Sequence, residues 1–148
     1  MIPKINDRGQ SFKGLVNYLM HDKGRADTSE RVAWAETGNM FTQDPFKAAK
    51  IMAFTDINAD MLKENVTGAN QSAGAVFHYS LGWEEGVAPD REHMRDCVLE
   101  TLECLGMAEH EFIIVAHDDT KHAHVHVVVN LTHPKTGLRL DPGLSIVL

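Results

Sequence analysis

Residues 122–130 read His-Ala-His-Val-His-Val-Val-Val-Asn. In an extended strand successive side chains face opposite ways. His122, His124, His126 and Asn130 therefore share one face, and Val125, Val127 and Val129 share the other. The valines suit a core, but three adjacent imidazoles on the opposite face have no packing logic. Five of the nine histidines fall between positions 117 and 133, a density that a merely solvated strand face does not explain. Imidazole is a borderline ligand suited to Zn, Mn, Fe, Co or Ni. Histidines two apart on a strand can reach one ion, and His117, at the end of the preceding strand, can fold back across the short turn as a third ligand. Asp119 is placed to accept a ring N–H and fix a tautomer. A three-histidine set leaves coordination positions open, so the ion can polarise a phosphoryl oxygen or activate water. The cluster alone does not choose between these.

Periodicity sets the elements around this strand. Phe12, Leu15, Val16 and Leu19 recur at helical spacing behind Ser11, a candidate N-cap, and Gly24 is read as the stop. Arg31–Glu36 alternates weakly as a short strand. Asp44-Pro45 has the form of an N-cap followed by proline at the first helical position, opening a helix to about Met61. Residues 68–74 read as a loop and Ala75–Trp83 as a strand with Phe77, Tyr79 and Leu81 on one face and His78 and Ser80 on the other. Asp90 opens a helix carrying Met94, Cys97, Val98, Leu102 and Leu105 on one stripe, ended by Gly106. Phe112–Ala116 is a buried-type strand, Asp118–Lys121 a turn, and His122–Leu131 the next strand. The order, roughly βαβαβαββ with a hairpin near Asp118, predicts an α/β fold: a mixed, largely antiparallel sheet with helices packed on it.

A length of 148 residues suits one domain with a real core. No apolar run approaches the ~20 residues needed to span a bilayer, and the N-terminus lacks the apolar stretch of a signal peptide. The expected location is the cytoplasm, with no membrane insertion. Cys97 and Cys104, seven apart on one helix, are poorly placed for a disulfide. The net charge of −7 argues against a nucleic-acid partner, but its distribution qualifies that. Residues 84–111 hold nine acids and two bases, so this stretch alone carries −7 and the remainder is neutral. The first 31 residues are mildly basic.

A nucleophile would decide what the ion is for. The chain has two tyrosines, Tyr18 in the first helix and Tyr79 in the strand with Phe77 and Leu81. A tyrosine can form a covalent link to a phosphate once its proton is removed and the phosphate is polarised. Tyr79 alternates with core residues. Tyr18, three residues after Leu15, fits either the edge of a core or a nucleophile.

With these residues in place, a family resemblance enters. The run from His117 through Asp119, His122, His124 and His126 to Asn130 resembles motif III of the MobA-type conjugative and mobilisation relaxases. These belong to the HUH endonuclease superfamily, named for two histidines flanking a hydrophobic residue, here His124-Val125-His126. Phe12–Leu19 resembles motif I, which carries the nucleophilic tyrosine, and His78-Tyr-Ser80-Leu resembles motif II, whose serine contacts DNA. The three occur in the family's order and span about residues 10–138.

The resemblance implies a relaxase-like fold with a split βαβ-type palm, and a single catalytic domain over 1–148 that is the N-terminal part of a longer protein. It implies a site- and strand-specific nickase. Tyr18 would attack a phosphate at an origin of transfer, giving a 5′-phosphotyrosyl link and a free 3′-hydroxyl. His117, His124 and His126 would hold a divalent ion, magnesium or manganese foremost, with zinc, nickel or cobalt also compatible. His122 would be a supporting residue, a proton acceptor or an alternative ligand. Asp119 would orient a histidine, while Ser80 and Asn130 would serve the substrate. The expected partners are single-stranded origin DNA and other relaxosome proteins. Two alternatives stay open: a truncated, non-catalytic DNA-binding mobilisation module, and a phosphodiesterase using metal-bound water. In rolling-circle initiators and single-tyrosine transposases the tyrosine follows the histidine pair, and none follows His126 here.

Overall fold

The structure, a computed structural model, describes residues 1–23, 28–59 and 74–141. The stop at Gly24, all but the last residue of the loop at 68–74, and the tail beyond Asp141 lie outside these residues, while the second helix, expected to reach about Met61, ends at Ile57 with Asn58 as its C-cap. In chain order the elements are β1 (Ile2–Ile5), α1 (Phe12–Met20), β2 (Val32–Gly38), α2 (Pro45–Ile57), β3 (Val76–Gly82), α3 (Arg91–Cys104), β4 (Phe112–His117) and β5 (His124–Asn130). The order βαβαβαββ is as expected. The pattern had marked no residues for β1, whose four residues are all exposed.

Each helix starts where a side chain can satisfy a free backbone N–H. Ser11 accepts from the Gly14 amide at 2.9 Å, Asp44 from Phe46 at 2.9 Å with Pro45 following, and Asp90 from His93 at 2.7 Å. Past the end of α3, Gly106 takes a φ of +78°, a left-handed conformation that costs glycine little.

The five strands form one sheet in the order β1-β3-β5-β4-β2. The expectation was a mixed, largely antiparallel sheet; all four ladders are antiparallel. Helices cover both faces. Phe77, Tyr79, Leu81, Ile114, Val125, Val127 and Val129 pack against Met94, Val98 and Leu102 of α3. Val76, Ile113, Val115 and Val128 pack against Phe12, Val16 and Leu19 of α1 and Ala48, Ala49 and Met52 of α2. The outer side of α3 exposes Glu92, Asp96, Glu100 and Glu103, while its Arg91 and Arg95 pair with Glu36 of β2 at 2.7 and 3.0 Å.

The histidine strand is shorter than its alternation suggested. β5 begins at His124, not His122, because the ladder with β4 closes on the pair His117–His124 and residues 118–123 form the connecting loop. Residue 123 stays tied to the end of β3: the Trp83 amide donates to the Ala123 carbonyl at 2.9 Å.

At the far edge of the sheet Gly38 faces Phe112 across the β2–β4 ladder, and a Cβ there would overlap the phenyl ring. Gly38→Ala should therefore destabilise the fold by about 1–3 kcal/mol through overpacking, read as a lower urea midpoint. Phe112→Leu in the same chain should recover part of the loss. An unchanged midpoint for Gly38→Ala contradicts this packing.

Candidate metal centre

The antiparallel register assembles the cluster. His117 and His124 are direct cross-strand partners, His126 lies two residues along β5, and all three face α1. Their ring centroids lie 4.7–5.3 Å apart. One nitrogen from each falls within 4.8 Å of the others, which makes this the group of described residues fit to hold an ion.

The remaining nitrogens indicate how the rings are oriented. His117 Nε2 donates to the Leu19 carbonyl at 2.7 Å. His124 Nδ1 donates to the His122 carbonyl at 3.0 Å. His126 Nδ1 lies 2.8 Å from His78 Nε2. With each of these nitrogens used as a donor, every ring keeps one lone pair free, which is the donor set a divalent ion needs. His117 and His126 are buried enough to stay neutral. Burial holds His117 below the ordinary histidine value, and burial followed by the neighbouring His117, His78 and His124 holds His126 far below it. His78 is lowered to about 4, by burial first and then by His117 and Lys4. A neutral His78 can accept from His126. The residues present therefore fit a bound divalent cation.

These three shifts set a pH dependence. Each ring binds a proton more weakly folded than unfolded, so unfolding takes up protons once the pH falls below 6.5. Metal-free protein should keep its urea midpoint above that value and lose it progressively towards pH 4, where folded His78 titrates. A midpoint that is flat or rising over this interval contradicts neutral rings.

The expected site residues divide into those brought together and those kept apart. Tyr18, 58% exposed, shares the walls of a cavity of about 170 Å³ with His117, His124 and His126. Asp119 and Thr120 of the loop, together with Lys23 and Arg31, complete the lining. Tyr18 was read from spacing as either core edge or nucleophile, and it stands outside the core. Tyr79 is buried, bonded to Thr101 Oγ1 at 2.8 Å, and its phenol is raised by that burial, so its proton is held tightly. Ser80 lies on the histidine face of β3 as the cross-strand partner of His126. His122 is exposed, outside the cavity lining, with Nδ1 donating to the Trp83 carbonyl at 3.2 Å. The acceptors that orient the three rings are the Leu19 and His122 carbonyls and His78; Asp119 lines the cavity without bonding a ring among the described residues.

Asn130 is on the predicted face of β5 but about 13 Å further along the strand than His126. It is fully buried under α2. Its amide donates to the Met52 carbonyl and to Glu111 Oε1, both at 3.1 Å, and its oxygen accepts from the Thr132 amide at 3.1 Å. This network ties α2 to the sheet. Asn130→Ala should cost about 1–3 kcal/mol by leaving the Glu111 carboxylate partly unpaired, and leave metal affinity unchanged in calorimetric titration. A loss of metal binding without a loss of stability would reverse that assignment.

Two residues at the site were not legible as functional from the sequence. His78 had been noted only as a polar strand residue within the motif II resemblance, and it supports His126. Its shared face with Ser80 was the available signal. Arg31 had counted as the start of a short strand and as one of the basic residues near the N-terminus. It is 4% exposed, lies with its guanidinium carbon 5.2 Å from the Tyr18 ring centroid and donates to the Tyr18 carbonyl.

Comparison with known proteins identifies the family. The profile of the family described as "Relaxase: MobA/VirD2-like, nuclease domain" matches residues 18–144, and the chain belongs to that family. Among individual relatives, Protein MobA of Acidithiobacillus ferrooxidans is 35% identical over 80 residues, covering 53% of this chain and 20% of the relative. Two Escherichia coli proteins, both called Protein TraI, are 25% and 24% identical over 142 and 131 residues, or 95% and 88% of this chain. The chain spans a fifth or less of the length of these relatives. Among the described residues no helix is long and apolar enough to cross a membrane.

Proposed function

We propose that this chain is the catalytic part of a site- and strand-specific DNA nickase for plasmid mobilisation, acting on single-stranded origin-of-transfer DNA in the cytoplasm alongside other relaxosome proteins. The observation that carries the reading is that Tyr18 and the three-histidine cluster line one cavity. The phenol oxygen of Tyr18 attacks the scissile phosphorus. The bond from phosphorus to the 3′ oxygen of the upstream nucleotide breaks, and that oxygen leaves with the electron pair and takes up a proton. The product is a 5′-phosphotyrosyl link and a free 3′-hydroxyl, and the reverse reaction rejoins the strand.

A divalent ion held by His117, His124 and His126 would supply charge stabilisation at a non-bridging phosphate oxygen, with magnesium or manganese the proposed ion and zinc, nickel or cobalt also suited to imidazole. Asp119, on the cavity wall with Tyr18, takes the phenol proton. Ser80, opposite His126 on the same face, contacts the DNA backbone. His78 fixes the His126 ring, and His122 steadies the loop that carries Asp119 by its bond to Trp83. Asn130 has a packing role, holding α2 to the sheet.

The test is a randomised pool of end-labelled single strands, incubated with manganese and run on a denaturing gel. The wild type should form a covalent adduct whose captured DNA shares a common cut sequence. Tyr18→Phe should reduce adduct at least about 10³-fold, because the covalent step loses its nucleophile. An adduct that persists in Tyr18→Phe would falsify the nucleophile assignment. Cleavage without adduct, lost in His124→Ala but retained in Tyr18→Phe, would instead indicate hydrolysis by metal-bound water. Sequence-specific binding with neither product would indicate a non-catalytic module.

A further inference from the structure

We propose that Arg31 is a second phosphate-binding group of this site, contacting through its guanidinium a non-bridging oxygen of the phosphate that Tyr18 attacks. The inference rests on the DNA reading above but on different atoms. Arg31 is 4% exposed and lines the same cavity as Tyr18 and the three histidines. Its guanidinium makes no ion pair among the described residues. Its Nε is buried and has no hydrogen-bond acceptor there. The neighbouring Asp22 feels the Arg31 charge but forms no ion pair with it, and its two carboxylate oxygens accept the backbone N–H groups of Glu30 and Arg31 at 3.0 and 2.8 Å.

Leaving a buried cationic donor unsatisfied is costly, and such a group is retained where an anion arrives to pair with it. Among the described residues the cavity offers no anion that bonds it. Asp119 lines the wall without pairing with Arg31 among the described residues.

Position supports the same role. The Arg31 backbone is pinned on both sides, its amide by Asp22 and its carbonyl by the Asp118 amide at 3.0 Å. One terminal nitrogen donates to the Tyr18 carbonyl, and the planar group lies over the Tyr18 ring. The guanidinium is thus held beside Tyr18 on the cavity wall, with part of its donor capacity unused. A planar, multi-donor cation suits a phosphate oxygen better than a lysine does. Lys23, on the same cavity, is exposed and therefore more strongly screened.

The experiment reads binding rather than cleavage. In a Tyr18→Phe background with manganese present, the affinity for a short fluorescein-labelled oligo-dT is measured by anisotropy across a salt series. Loss of one phosphate contact should reduce the slope of log K against log salt by about 0.7. Arg31→Gln should show that reduction, and Arg31→Lys, which keeps the charge, should not. A merely structural role would weaken binding without changing the slope. If thermal melting shows that Arg31→Gln does not fold, Arg31→Met, which keeps the buried stem, carries the same comparison. An unchanged slope in the neutral variant overturns the proposal, as does failure of the Arg31 parent to bind the oligonucleotide. On a strand that the wild type cleaves, adduct formation by Arg31→Gln should fall about 10²-fold. A normal adduct rate overturns the proposal while leaving the nickase reading intact. Absence of adduct from the wild type, with the slope change present, overturns the nickase reading alone.

Discussion

One hydrogen bond holds the two halves of this site in register. His117 Nε2 donates to the carbonyl of Leu19, the residue after Tyr18. The last turn of any helix leaves carbonyls without intrahelical partners, and here the site itself satisfies two of them. The Leu19 carbonyl takes His117, and the Tyr18 carbonyl takes Arg31. The same bond fixes the tautomer of His117 and leaves its Nδ1 free for an ion. The helix bearing the Tyr18 phenol is therefore docked by a residue of the histidine cluster, so the cluster and the phenol are held in one register.

The sheet makes this possible through a division of one face. Along the α1–α2 side, β5 presents His124, His126, Val128 and Asn130 in order. Helix packing covers the last two and leaves the first two at the open end beside the hairpin. The apolar contacts of Val128 and the buried amide network of Asn130 anchor the strand. The histidines can then face a polar cavity without weakening the core beneath, which Val125 and Val127 fill from the other face.

Much of this was readable in advance. Period-two alternation placed the imidazoles on one face, period-3.6 spacing found the helices, and Ser11, Asp44 and Asp90 marked their starts. What failed to show did so for physical reasons. Alternation assigns a face but not what lies over it, so Asn130 read as part of an open site although α2 buries it. His78 meets His126 only because the β3–β5 register sets Ser80 opposite His126, and register is a property of the pair of strands. Arg31 acquires its surroundings from α1 and from the loop after β4, both remote in sequence. The four residues of β1 carry no buried side chain, so no pattern could distinguish them from a tail.

The acid-rich outer side of α3 lies on the opposite face of the sheet from the cavity. A polyanion meeting that side is repelled, whereas one meeting the other side finds Lys23 and Arg31. The molecule therefore behaves as an electrostatic dipole set across the sheet. Any polyanion brought near is on electrostatic grounds directed away from the α3 side and towards the cavity side, although the chain as a whole carries −7.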